Sequence, residues 1–366
     1  MRPDALDMYA TQLESESKLP QPLPRHAEST RMFAEAAEAA AVVEAQLVCN
    51  AADVAQVAAD LRSRRKSAIV TLARGSSDHA ATFARYLIET RLGVLTSSAA
   101  PSVTSLYASR SHFRNTIVLA ISQSGKSPDL LASAEAARKS GAYIVAMVNA
   151  EDSPLAQLAD FTIPLGAGEE KSIAATKSFI ASLAAIVQFV ASWSGDAELH
   201  TALEVLPAQL QRAWNLDWND AVTRLRDARS LYVLGRGVGL GVAGEAALKF
   251  KETTCLHAEA FSTAELQHGP VAIVRSGFPI LVFAQKDETH DGIARVVREL
   301  DINGAEVLTV GLQVPVGVAL PVLDSNPATA PLLQILSFYR MVNALAVARG
   351  CDPDRPRHLS KITETM

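Results

Sequence analysis

The apolar positions of this chain change period along its length, and the changes divide it. Residues 29–63 are rich in Ala and Glu at helical spacing and predict helices. Residues 1–28 are polar and carry Pro20, Pro22 and Pro24, the composition of an arm. From Ser67 a regular alternation begins. Ser67–Ala73 is an apolar run of strand length, Arg74-Gly75-Ser76-Ser77 a turn, and Asp78–Glu89 a helix. Asn115–Ile121 predicts a second strand, followed by Ser122-Gln123-Ser124-Gly125-Lys126-Ser127 and a helix over Pro128–Ser140. Ala142–Val148 and Phe161–Leu165 predict two more strands. Strands alternating with helices through short turns imply parallel strands with helices on both faces. The uncharged stretch Phe179–Trp193 is short for a membrane span, carries Ser182 and Gln188, and predicts a buried helix.

The same order returns about 160 residues later, which points to an internal duplication. Leu231–Leu234 predicts a strand, Gly235-Arg236-Gly237 a turn and Gly241–Thr254 a helix. Pro279–Ala284 is a strand ending at Gln285, where the first half has Gln123. Asp291–Leu300 reads as a helix, Glu306–Val310 as a strand and Pro331–Arg349 as a closing helix. Asp196–Arg229 reads as a helical connector. The expected organisation is an α/β, doubly wound, flavodoxin-like pair: an arm over 1–28, a first domain over 29–205, a second over 206–350, and a tail over 351–366.

Composition narrows the function. The 366 residues suit two domains of about 150–180 residues. With 49% hydrophobic and 20% charged residues the chain has the make-up of a globular protein with a sizeable core. A net charge of −5 argues against a nucleic-acid partner, which needs a basic footprint. Cys49, Cys255 and Cys351 are far apart in sequence and form no CxxC pair, so neither a metal site nor a disulfide framework is expected, and a reducing compartment fits. The start lacks the basic-then-apolar pattern of a signal peptide. The expectation is a cytoplasmic protein with no membrane partner, no metal and no cofactor.

Candidate chemistry gathers at two predicted strand ends, where open parallel sheets bind ligands. In Ser122–Ser127 a buried strand runs straight into a helix, with Ser127 placed to cap it and Pro128 at its first position. Unpaired N–H groups, a positive helix end and three hydroxyls at one spot suit a phosphate dianion. Gly75-Ser76-Ser77 offers the same on a neighbouring strand, although helix capping alone would explain serines in either loop. Two other motifs fail. Gly235-Arg236-Gly237-Val238-Gly239-Leu240 has Leu240 where a dinucleotide fingerprint needs its third glycine, and Ser124-Gly125-Lys126-Ser127 has Ile121 where an NTPase loop needs its first. Titratable groups are dense over Glu245–Pro270. Lys249 and Glu252 share a helix face, and His268 precedes a Gly-Pro turn. A surface ion pair and a loop histidine would account for these equally well.

In order along the chain, Arg74–Ser77, Ile121–Gly125, Ala174–Lys177, Glu245–Glu252, His257–Ala260, Glu265–Pro270 and Pro356–Lys361 resemble the tandem sugar-isomerase (SIS) domains of the isomerase half of glucosamine-6-phosphate synthase. The resemblance runs from about residue 30 to the end of the chain and implies two SIS domains. It implies that Ser77, Ser122, Gln123, Ser124 and Ser127 cradle a sugar 6-phosphate, and that Ile173 and Ala175 touch the sugar, with Ala175 standing where the synthase has a serine. It further implies that Glu252 is the base moving a proton between C1 and C2 and that Lys249 shuttles protons beside it. His268 would open the ring, reaching in from a partner subunit of a homodimer, and Lys361 would form a Schiff base or sit against O1 and O2. The synthase's glutamine-hydrolysing domain, with its N-terminal cysteine nucleophile, has no counterpart near Met1-Arg2. Glu170–Ser178 and Ala100–Tyr107 resemble instead stand-alone SIS proteins, glucosamine-6-phosphate deaminases among them, which implies the reaction glucosamine 6-phosphate plus water to fructose 6-phosphate plus ammonia. The alternatives are an isomerase or deglycase acting on another hexose or fructosamine 6-phosphate, and a non-catalytic sugar-phosphate sensor.

Overall fold

The computed structural model describes residues 26–64, 68–107, 109 and 112–361. Of the expected arm only residues 26–28 fall within this range, and residues 362–366 of the tail lie outside it. Three helices open the described chain: α1 (Arg31–Ala37), α2 (Ala39–Cys49) and α3 (Ala51–Ser63). The first α/β unit follows as β1 (Ala68–Leu72), α4 (Ser76–Leu92), β2 (Thr96–Ser98), α5 (Pro101–Ser105), β3 (Thr116–Ser122), α6 (Pro128–Lys139), β4 (Tyr143–Val148), α7 (Pro154–Leu158) and β5 (Phe161–Pro164). Helices α8 (Lys177–Ser194), α9 (Ala197–Ala213) and α10 (Asn219–Leu225) connect it to the second unit. That unit comprises β6 (Ser230–Gly235), α11 (Gly239–Thr254), β7 (His257–Ser262), α12 (Thr263–Leu266), β8 (Pro279–Phe283), α13 (His290–Ile302), β9 (Glu306–Val310), β10 (Val318–Leu320) and α14 (Ala330–Ala348).

Both sheets are parallel throughout and share one topology. The first runs β2-β1-β3-β4-β5 and the second β7-β6-β8-β9-β10, so the duplication read from element order holds strand for strand. Every residue of β3 is buried, as a central strand covered on both faces requires. Two strands carry no apolar run, β2 and β7; with the three-residue β10 they are edge strands, supported on one side only. Helices α8 and α14 are long and apolar enough to cross a membrane by length and composition, but 89% and 83% of those windows are buried inside the protein. The predicted buried helix at Phe179–Trp193 is the centre of α8.

One core joins the two units. Within it α11 of the second unit packs against α4 of the first, and two glycines one turn apart set the distance. A Cβ on Gly241 would stand 2.6 Å from the His79 carbonyl oxygen and 2.9 Å from the Phe83 nitrogen. One on Gly244 would stand 2.5 Å from His79 Nδ1. The His79 imidazole is sealed in this contact, and burial, with the nearby Lys249 and Lys251 charges, lowers its pKa to about 4. It is therefore neutral at pH 7 and adds no third charge to the junction.

Gly241→Ala should destabilise the protein. Alanine gains about 1 kcal/mol of helix propensity, but forcing a methyl into backbone contact costs about 1–3 kcal/mol. Urea unfolding should show a lowered midpoint, and a midpoint at or above wild type would mean that the two helices have slack between them.

Candidate active site

β1 and β3 are neighbours, and the strand order turns about them: β2 lies to one side, β4 and β5 to the other. Such a reversal opens a crevice at the carboxyl ends of the strands. Two loops line it. Gly75, in a left-handed conformation at φ 56°, turns the chain from β1 into α4. After β3, the Ser122 hydroxyl accepts the Gly125 N–H at 3.0 Å and folds the loop back on itself. Gly125 has φ 61°, and a Cβ there would lie 2.7 Å from Ser153 Cβ. Ser127 sits at the N-cap of α6 as the sequence suggests, with Pro128 next, but its hydroxyl does not cap the helix and faces the cleft instead. Ser76, Ser77, Ser122, Gln123, Ser124 and Ser127 all line one cleft of about 360 Å³, at the starts of two helices. Arg74 also lines it, with its guanidinium donating to Asp129 Oδ2 at 2.8 and 3.0 Å.

Ile173, Ala175, Glu252 and Lys361 line the same cleft, so every predicted binding residue and two of the predicted catalytic ones meet there. Lys249 does not reach it. Its ammonium is fully buried one layer behind, 2.6 Å from Glu252 Oε2, 3.1 Å from Ser76 Oγ and 3.2 Å from Glu245 Oε1. Burial would depress the lysine, but the two carboxylates outweigh it and push its pKa up to about 12. Its ammonium is held against Glu252 inside the protein, so the pair is not the surface ion pair that spacing also allowed. Behind it Glu245 is wholly buried and accepts the Tyr339 hydroxyl at 2.9 Å. Burial raises Glu245 to about 7 against the pull of Lys249, with the Glu252 charge raising it further.

The tail reaches the cleft by two fastenings. The Asp354 carboxylate accepts the backbone N–H groups of Arg31 and Met32, each at 2.8 Å, at the start of α1. Lys361 Nζ then donates to the Ser172 carbonyl at 2.6 Å and Glu170 Oε2 at 3.3 Å. Glu170 is itself buried at the start of α8, where it accepts the Thr176 N–H at 2.9 Å and the Ser178 hydroxyl at 2.6 Å. The Glu35 carboxylate holds the same loop from below through the Ser172 N–H and hydroxyl.

His268 stands apart. It is exposed after α12, its N–H donates to the Glu265 carbonyl at 3.0 Å, and it does not line this cleft. Ser76 belongs to the Gly75-Ser76-Ser77 loop read from sequence, whereas Glu245, Tyr339 and Glu170 carry no role in that reading. Glu245 was within reach, since it falls on one helical stripe with Lys249 and Glu252; Tyr339 has no local signal. Among the described residues no three His, Cys, Asp or Glu side chains cluster to hold a metal ion. The crevice of the second sheet, between β6 and β8, is occupied by a side chain. Gln285 is buried there and its amide donates to Arg236 O at 2.9 Å, Asp287 Oδ2 at 2.7 Å and Thr289 Oγ1 at 3.0 Å.

The SIS domain family matches residues 63–192 and 224–313. The Aeropyrum pernix protein named glutamine–fructose-6-phosphate aminotransferase (isomerizing) is 33% identical in an alignment of 318 residues that covers 80% of this chain and 50% of that protein. The chain thus spans about half the length of the curated relatives it matches. A structure of a candidate phosphosugar isomerase from Silicibacter pomeroyi superposes with a TM-score of 0.85 at 44% identity, covering 89% of this chain and 100% of that one. The Thermotoga maritima glucosamine-6-phosphate deaminase superposes with a TM-score of 0.74 at 22% identity, covering 92% and 100%, which shows likeness of fold.

Two outcomes follow from this geometry. Gly125→Ala should weaken inorganic phosphate binding by about tenfold or more, because the left-handed backbone and the Ser153 contact both oppose a Cβ; unchanged affinity in a calorimetric titration would show that the loop does not shape the site. Native Glu245 keeps a proton that the unfolded chain releases between its ordinary 4.5 and about 7, so its contribution to stability is present at low pH and lost as pH rises through that window. Glu245→Gln should flatten the fall in unfolding free energy across that range, and a slope equal to wild type would refute the assignment.

Proposed function

The chain belongs to the SIS domain family, and on that premise we propose that it releases ammonia from glucosamine 6-phosphate, yielding fructose 6-phosphate. The observation that carries the reading is the meeting of the two serine loops, Glu252 and Lys361 in one cleft of hexose-phosphate size. The 6-phosphate lies against Ser77, Ser122, Gln123, Ser124 and Ser127, where hydroxyls and free N–H groups at helix starts favour a dianion. This places the other end of the sugar toward Glu252 and Lys361, past Ile173 and Ala175.

The proton chemistry then follows. Glu252 takes the C2 proton from the open-chain aldehyde, giving an enolamine with the developing negative charge on O1. The Lys361 ammonium is the cation available to that oxygen. Glu252 returns the proton to C1, the C2 amine becomes an iminium, and water adds at C2 to expel ammonia. An imine between Lys361 and the keto sugar requires the lysine to shed its proton first. Lys249 keeps one Glu252 oxygen fixed while the other faces substrate. The exposed His268 serves ring opening in the cleft of a second copy, which makes the working unit a homodimer with shared sites.

Glu252→Gln should lower ammonia release from glucosamine 6-phosphate by about 10²–10⁴-fold while leaving inorganic phosphate binding intact. His268→Ala and Glu252→Gln proteins, each inactive, should regain part of the activity when mixed if sites are shared. Ammonia assays across glucosamine, galactosamine and fructosamine 6-phosphates test the substrate. A wild-type protein that isomerises or cleaves another member of the panel, or binds glucosamine 6-phosphate without turnover, would replace the deaminase reading.

A further inference from the structure

Cys255 and Cys351 are remote in sequence, yet the fold joins the two segments that carry them. Cys255 directly follows α11, the helix bearing Glu252. Cys351 follows α14 and begins the tail that ends at Lys361. Arg349 clamps the two segments together. Its Nε donates to the Thr254 carbonyl at 2.9 Å, and its Nη1 donates to the carbonyls of Arg226 at 2.6 Å and Ala228 at 2.9 Å. The Cys351 N–H is tied down by the Ala346 carbonyl at 2.8 Å. Both thiols are free; the Cys351 thiol donates to the Arg349 carbonyl at 4.0 Å, and Cys255 is near enough to raise its pKa. Cys255 is exposed and Cys351 half-buried, so reagent has access to the pair.

The backbone at Cys255 is a second, independent observation. It lies in the left-handed region at φ 53° and ψ 27°, as the residue that closes α11. Glycine or asparagine takes that position without the steric cost of a Cβ, and helices ordinarily end on one of them. Here the strained conformation is held by the residue whose thiol neighbours Cys351, and strain kept at one position points to a use for its side chain.

We propose that Cys255 and Cys351 form a reversible oxidation site that closes to a disulfide under peroxide, stapling the root of the tail to the end of the Glu252 helix. The Cys255 thiolate attacks the peroxide, the O–O bond breaks, and hydroxide leaves and is protonated to water; the sulfur becomes a sulfenic acid. The Cys351 sulfur then attacks the Cys255 sulfur, the S–O bond breaks, and the hydroxyl leaves as a second water with the Cys351 proton. Two thiols and one hydrogen peroxide thus give one disulfide and two waters. Thiol–disulfide exchange with a small dithiol restores the reduced pair. Cys255, the exposed thiol, meets the peroxide first, and the half-buried Cys351 resolves the sulfenic acid.

The test uses the whole protein and reads thiol chemistry, so it stands or falls apart from the sugar reaction. Treated with hydrogen peroxide and alkylated, the protein should lose two hydrogen atoms in mass and yield a Cys255–Cys351 linked peptide that dithiothreitol abolishes. Cys49 should remain alkylated; it too is exposed and has no paired thiol, so it controls for exposure alone. Oxidation should raise the thermal midpoint by about 2–6 °C in wild type and leave Cys351→Ser unmoved. Conversion of Cys255 to sulfinic acid without cross-linking, equal oxidation of Cys49 and Cys255, or a cross-link that lowers the midpoint would each overturn the proposal.

Discussion

The distance between α4 and α11 governs everything at the cleft. The first unit supplies the floor of serines and the second supplies the carboxylate, and they belong to one site only because two helices approach closely. That approach needs positions without a side chain. Gly241 and Gly244 face His79 and Phe83 with no room for a methyl group, and the same stretch of α11 then carries Lys249 and Glu252 along the junction. Ser76, at the start of α4, accepts from Lys249 across that junction. The packing contact and the Glu252 carboxylate are therefore parts of one helix, and Glu252 is placed by that helix rather than by a loop.

The junction is also where charge is hidden, and its arithmetic explains the arrangement. An ammonium buried alone is prohibitively costly, and a pair inside a protein is tolerable only with good geometry and satisfied partners. Lys249 has a carboxylate on either side and a hydroxyl besides. Two full negative charges around one positive would leave an excess in the interior. The upward shift of Glu245 relieves that excess by letting the deeper carboxyl keep its proton near neutrality, while Glu252, open to the cleft, does not suffer the same burial. Tyr339, itself held far from ionisation by burial, gives Glu245 a donor.

Much of this was legible from residues alone, for physical reasons. β3 announces itself because a central strand buried on both faces must be apolar throughout. The serine loops announce themselves because they fall between such a strand and a helix start. Edge strands are different: Thr96–Ser98 and His257–Ser262 are held by partners on one side and need no apolar run, so their sequences resemble loops. Both carboxylates beside Lys249 lie on its own helix, but its burial was invisible because the helix that covers it, with Ser76, comes from the other unit. The tail's route was invisible too, since the Asp354 contact with α1 joins opposite ends of the described chain. The Arg349 contact that draws the Cys255 and Cys351 segments together left no local signal either, since its acceptor lies 95 residues away.

The two sheets repeat one strand order, but they do not repeat one another's use of it. Where the first leaves its reversal point open and lined with hydroxyls, the second plugs the same point with the Gln285 amide and places Asp287 beside it, a poor setting for an anion. Had both stayed open, each copy of the chain would be a two-pocket receptor with no tool between its pockets. The serine-lined cleft thus draws on both units, with hydroxyl loops from the first and the Glu252 carboxylate from the helix that follows β6.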